Sequence, residues 1–236
     1  MISNSKLTVL AVFLGMSFFL QGCGSSASEN GNANIAADVE NEVKETTGTA
    51  EVHKNIGAKA VQAGPFKLFK LYTDGNSPDN HYTPSGWMGD FGDLSLNDKH
   101  LENPHGGSTS VKIVYNGKAT QGARWAGIYW QNPPNNWGTR PGGYDLTGAK
   151  KLTFWARGDK GGERIEEFKI GGITGEYADS DVAGIGPVVL TTEWQEFTID
   201  LEGKDLSSIS GGFCWATNLD VNPEGATFYL DDIRYE

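Results

Sequence analysis

The sequence predicts an all-β protein, an antiparallel β-sandwich of jelly-roll type, on three observations. From Phe66 onward it carries nine short runs with strand alternation or β-rich composition, separated by Gly, Asn and Asp turns. Helical periodicity is not convincing anywhere in that region. The chain of 236 residues holds 32 glycines against 9 prolines, which suits many tight turns. Short strands that follow one another without helical crossovers pair antiparallel and stack into two sheets around one core.

Three segments divide the chain. Residues 1–23 read as an export signal, with Lys6 as a positive start and Leu7–Leu20 as an apolar run too short to span a bilayer. Residues 24–62, rich in Ser, Asn, Ala and Glu and without an aromatic, read as a disordered spacer. A segment of that kind buries too little apolar surface to offset the entropy of ordering it. Residues 63–236 form the folded domain.

Within the domain, Phe66–Tyr72 is the first run. Asp74–His105 is long for a connection, so it carries either function or short strands of its own, with Trp87 and Phe91 expected to pin it to the sandwich. Thr109–Tyr115 follows. Arg124–Gln131 alternates with period two, placing Ala126, Ile128 and Trp130 on one face and Trp125 and Tyr129 on the other. The Pro-, Asn- and Gly-rich stretch after it still carries Trp137 before Tyr144 closes it. A Trp in a surface loop gains little by packing, so this one points to a ligand.

Lys151–Arg157 is the clearest strand, with Leu152, Phe154 and Ala156 inward and Thr153, Trp155 and Arg157 on the other face. Arg164–Gly171, Pro187–Leu190, Trp194–Leu201 and Gly212–Thr217 continue the series. In Ala226–Tyr235 the pair Phe228 and Leu230 falls out of phase with Ile233 and Tyr235, and the simplest repair is a β-bulge at Asp231-Asp232. A carboxylate buried there requires a partner, either a hard cation such as Ca²⁺ or an Arg.

The formal net charge of −11 excludes nucleic acid, whose phosphates need clustered Lys and Arg. It permits a neutral glycan and disfavours polyanions. Of the two cysteines, Cys214 lies between Phe213 and Trp215 in a strand-like run and reads as a small buried apolar residue.

Two resemblances extend these readings. Leu20-Gln21-Gly22-Cys23 resembles the processing site of bacterial lipoproteins, which implies that Cys23 is lipidated, and Gly24 resembles the pattern sent to the outer membrane or cell surface. An intrachain disulfide would then be impossible. The runs Thr192–Leu201, Gly212-Phe213 with Trp215, and Phe228–Ile233 resemble the galactose-binding-like jelly-roll carbohydrate-binding modules of bacterial glycanases, of the family-11 type and its relatives. Ser110–Tyr115 and Leu152–Arg157 fit the same fold. That resemblance implies a structural Ca²⁺ between the first and last strands, with Asp231 and Asp74 as ligands. It also implies a sugar site of aromatic platforms with amide, carboxylate and Arg partners, for which Trp125, Tyr129, Trp137, Tyr144, Trp155 and Arg157 are the candidates, with Trp215 also considered.

Catalysis has weaker support. Glu163, Glu166 and Glu167 are the best carboxylate group for a glycanase or polysaccharide lyase, but a polar strand face explains them. His81, His100 and His105 lack metal-site spacing, and the Gly-Gly pairs begin no strand–loop–helix unit, which excludes a phosphate loop. The expectation is therefore a lipid-anchored protein that binds a poly- or oligosaccharide without altering it. The rivals are an enzyme acting on such polymers and an adhesive protein that binds another protein.

Overall fold

The computed structural model describes residues 65–236; the export signal, Cys23, the spacer and the start of the domain lie outside them. Thirteen strands and one short 3₁₀ turn make up the described chain: β1 Phe69–Tyr72, β2 Thr83–Gly89, β3 Leu94–His100, β4 Ser110–Tyr115, β5 Trp125–Gln131, β6 Lys151–Gly158, β7 Arg164–Ile165, β8 Glu167–Gly171, β9 Val182–Ile185, β10 Val188–Val189, β11 Gln195–Asp200, β12 Gly211–Asn218 and β13 Ala226–Tyr235.

The strands form an antiparallel β-sandwich. One sheet runs β11-β6-β13-β4-β3, with β1 joining β13; the other runs β2-β5-β12-β8-β9; β7 and β10 pair as a short ribbon. Every expected run supplies a strand, and Arg164–Gly171 supplies two because it breaks at Glu166. The long Asp74–His105 segment contributes β2 and β3, one to each sheet.

The core lies where the period-two patterns of the two sheets meet. Phe154 on β6 reaches across to Phe168 on β8 and Phe213 on β12, with ring centroids 4.7 and 5.1 Å apart, and Trp215 meets Phe228 edge-on at 4.9 Å. Rings that bridge the layers in this way lock the sheets together; truncating one such Phe to Ala costs about 3–5 kcal/mol. Trp130 and Trp215 are both fully enclosed here, which removes Trp215 from the ligand candidates.

The bulge in β13 is present. Ala226–Leu230 pairs with β4, whereas Ile233–Tyr235 pairs with β1, and the register on β6 shifts between Asp231 and Arg234. Asp232 takes φ +47°, which returns Ile233 and Tyr235 to the core face. One strand thereby serves two neighbours in succession.

Trp87 and Phe91 do not pin the segment between β1 and β4, being 36% and 52% exposed. The tethering groups are polar: the Tyr82 hydroxyl donates to Ile209 O at 2.7 Å, and the fully buried Asp90 carboxylate gathers three backbone amides.

Candidate functional site

The outer face of the five-stranded sheet follows from its register. Tyr129 lies opposite Gly86 on one side and Cys214 on the other, and Gly127 lies opposite Met88 and Ala216. Trp125, Gly127 and Tyr129 therefore share one face of β5, and between the two aromatics Ala216 and the half-buried Met88, whose methyl lies over Gly127, floor a shallow trough. Gly127 has no room for a side chain: a Cβ there would meet Trp215 O at 2.5 Å and Met88 Cε at 3.0 Å. Beyond Ala216 the trough ends at Glu167 and Lys169, which pair at 2.8 Å.

Each exposed aromatic is held by a buried polar device. The turn before β5 is wound around Asp90, whose carboxylate accepts N–H bonds from Gln121, Ala123 and Arg124 at 2.7–3.0 Å. This turn sends Trp125 out from the head of the strand, 40% exposed. At the other end of β5, Gln131 donates from Nε2 to Asn136 O at 3.0 Å and accepts from the Ser85 hydroxyl, which in turn accepts the Asn135 N–H. Asn136 donates to Arg140 O, and the Arg140 guanidinium donates to Pro134 O. So braced, the loop after β5 lays Trp137, 41% exposed, edge-on against Tyr129 with centroids 5.9 Å apart. Tyr129 is only 5% exposed and donates to Gly171 O at 3.1 Å. It is a base beneath Trp137, not a second open platform. Asp179 completes the rim, accepting amides from Ile173, Ser210 and Gly211.

Tyr144 sits elsewhere, in a cluster with Phe69, His81 and Tyr82 at centroid distances of 5.0–5.5 Å, and its backbone bridges to Ile209. That environment is packing, so Tyr144 is separate from the trough.

Trp155 and Arg157 lie on the other side of the sandwich, on the outer face of the six-stranded sheet. The loop from β3 to β4 folds over that face: the His105 ring stacks on Trp155 at 3.7 Å, its Nδ1 lies 2.8 Å from Asp232, and Trp194 approaches edge-on. Trp155 is thus capped by its own chain. The six sequence candidates divide among three places, of which only one brings open aromatics together.

Asp231 and Asp74 grip the same loop from two sides. Asp231, fully buried, accepts amides from His105 and Gly106 on Oδ2 and from Asp232 on Oδ1. Asp74 Oδ1 accepts the amides and hydroxyls of Ser108 and Thr109. Gly107, at φ +56°, leaves the space Asp74 occupies, since a Cβ there would collide with its Oδ2. Ca²⁺ takes 6–8 oxygens, whereas the groups facing these carboxylates are N–H and O–H donors, and among the described residues no three His, Cys, Asp or Glu side chains converge. These bonds make two hydrogen-bond cradles, one on Asp231 and one on Asp74 Oδ1. Burial raises the Asp231 carboxyl to about 6, partly offset by the amides that favour its charged form.

The carboxylates considered for catalysis do not converge on one another. Glu163, 8% exposed, accepts the amides of Asp159 and Lys160 on Oε1 while its buried Oε2 has no partner, Glu166 pairs with Arg164, and Glu167 with Lys169. Cys214 is buried, and burial pushes its thiol far up, which suppresses the nucleophilic thiolate.

Sequence reasoning missed Asp90, Gln131 and Asn136. Their signal was a polar residue flanked by strand and turn, which burial alone distinguishes from a solvated one.

No protein family and no curated protein matches the chain by sequence. The fold is similar to that of solved carbohydrate-binding modules. A family 30 module aligns over 72% of this chain and 87% of its own, with 16% identity and a TM-score of 0.49. The family 11 module of a cellulosomal cellulase from Clostridium thermocellum aligns over 64% and 82%, with 13% identity and a TM-score of 0.41. A xylan-binding domain from Paenibacillus barcinonensis aligns over 74% and 96%, with 13% identity and a TM-score of 0.44. At such values neither a ligand nor a residue's role transfers from those proteins to this one.

Proposed function

We propose that this protein binds a neutral poly- or oligosaccharide, without altering it, on the outer face of its five-stranded sheet, and that it is carried on a lipid anchor at Cys23 at the outer membrane or cell surface. The observation that carries the binding half is the trough itself. Trp125 and Trp137 stand open at its two ends, Tyr129 backs one of them, and Met88 over Gly127, with Ala216 beside it, forms the floor.

Sugar rings present C–H faces that pack on indole rings, while their hydroxyls take polar partners such as the Glu167–Lys169 pair at the far wall. The aromatics are held from beneath by hydrogen-bonded groups on Asp90 and Gln131, so little ordering is left to be done on binding. The anchor half rests on the sequence of the export signal and on Cys23.

Affinity electrophoresis through gels cast with β-glucan, xylan or mannan tests the binding. Retention by at least one neutral polymer is expected, with about a tenfold loss in Trp137→Ala, the size typical of a central aromatic contact. No retention by any of them would sink the proposal. Product release from the same polymers would replace it with an enzyme. Mass spectrometry of the membrane fraction tests the anchor: acyl groups on Cys23 are expected, and an unmodified Cys23 in the mature chain would remove that half.

A further inference from the structure

Two cations on the outer face of the six-stranded sheet, Arg157 and Lys112, form no ion pair among the described residues. Arg157 is the only Lys or Arg that is buried among the described residues, 9% exposed, and it takes part in no ion pair there. Its guanidinium carbon lies 3.7 Å from the centroid of Tyr229 and 5.2 Å from that of Trp194. These rings stabilise the charge but accept no N–H bond. Nη1 donates to Gly158 O at a long 3.4 Å, and Nε has no partner. Lys112, opposite Tyr229 in the β4–β13 ladder, holds its ammonium 5.6 Å from the same ring and is likewise unpaired.

His100 closes the third side, its ring 5.2 Å from Tyr229 and its buried Nε2 without a hydrogen bond. Burial, and then the charge of Lys112, hold its pKa below the usual value, against the pull of Glu102. Of the carboxylates around the cluster, Asp159 accepts the Tyr229 hydroxyl at 2.8 Å, and the exposed Glu102 stops 3.9 Å from His100. A buried guanidinium with an idle N–H, in a chain of net charge −11, is an arrangement that an anion would complete.

We propose that this face is a second binding site, separate from the trough, which takes a single carboxylate carried on a sugar ring, as in a uronic acid branch, between Arg157 and Lys112 beside Tyr229. The half-buried Trp194 offers the ring its apolar border. The surrounding acidic surface favours a lone carboxylate over a polyanion, which the net charge repels.

NMR titration of the folded chain with methyl β-D-glucuronide, its methyl ester and acetate provides the test. The glucuronide is expected to shift the Trp194 indole and the Lys112 side chain, leaving Trp125 and Trp137 in place. The ester and acetate should each bind about tenfold more weakly, as expected for loss of a charge-assisted bond or of the ring contact. Lys112→Gln, at a half-buried position, should weaken the glucuronide about threefold or more with the spectrum otherwise native, and Arg157→Gln should abolish the response. Equal binding of acid and ester, acetate as tight as the glucuronide, an unaltered affinity in Lys112→Gln, or shifts confined to Trp125 and Trp137 would each overturn the proposal. Neutral-polymer retention reads the trough independently, so the two readings fail separately.

Discussion

The two outer faces of the sandwich carry similar inventories, aromatics with a few charges, yet they are built in opposite ways. On the five-stranded sheet Met88 over Gly127 and Ala216 lie in the middle and the indoles of Trp125 and Trp137 stand open at the ends. On the six-stranded sheet Trp155 lies in the middle, and the chain's own β3–β4 loop closes over it through His105. An aromatic on a strand's outer face is therefore a platform only where nothing in the chain covers it. The covering is decided by remote carboxylates, Asp231 and Asp74 on one face, while Asp90 on the other props its Trp outward.

The sharpest way to break this contrast is to inflict the same lesion on both faces. Asp231→Ala and Asp90→Ala each leave three backbone amides without an acceptor. Each should cost about 2–3 kcal/mol, read as a fall in melting temperature of several degrees. Only Asp90→Ala should also weaken glycan retention, because only there does the turn that carries Trp125 relax. If Asp231→Ala abolished retention equally, the covered face would belong to the glycan site.

Removing the open rings tests function with little effect on stability. Trp125→Ala and Trp137→Ala should each lower affinity about tenfold, while unfolding free energy changes by less than about 1 kcal/mol, since both rings remain about 40% exposed. A large stability loss in either would reassign that ring to packing.

A smaller effect concerns pH. The Asp231 carboxyl is raised from 3.8 to about 6 in the folded state, so the folded protein binds its proton more tightly than the unfolded chain does. The stability it contributes is therefore fullest below about 4 and declines as pH rises through about 6. Melting temperatures recorded from pH 4 to 7 should show that decline, and Asp231→Asn should flatten it. A steeper decline in the variant would contradict the assignment.

The smallest expected effect is none at all. Because Asp231 and Asp74 Oδ1 already accept N–H and O–H donors, a Ca²⁺ chelator should leave the melting temperature unchanged. A drop on chelation, reversed by added Ca²⁺, would restore the cation that the sequence suggested.

The sandwich was legible because period-two alternation survives wherever one strand face is buried, as in Lys151–Arg157 and Arg124–Gln131. The bulge at Asp231-Asp232 was legible because an extra residue in one strand is what shifts a period-two pattern by one position and then lets it resume. β2 and β3 were not, since Thr83–Gly89 contains Pro84 and two glycines, and Leu94–His100, at an edge, alternates with only two leucines. Of the site, the pairing of Trp125 with Trp137 was readable from an aromatic strand running into an aromatic loop. The separation of Trp155 and Arg157 from them was not, because it depends on which sheet each strand joins, and that is fixed by long-range pairing. The cap on Trp155 likewise comes from His105, on a loop far earlier in the chain.

The indole ¹H–¹⁵N spectrum, with one resonance expected for each of the seven tryptophans, tests the central claim most directly. Titration with a neutral β-glucan oligosaccharide should shift Trp125 and Trp137 and leave Trp155 and Trp194 where they are. Shifts at Trp155 or Trp194 with Trp125 and Trp137 unmoved would contradict the account.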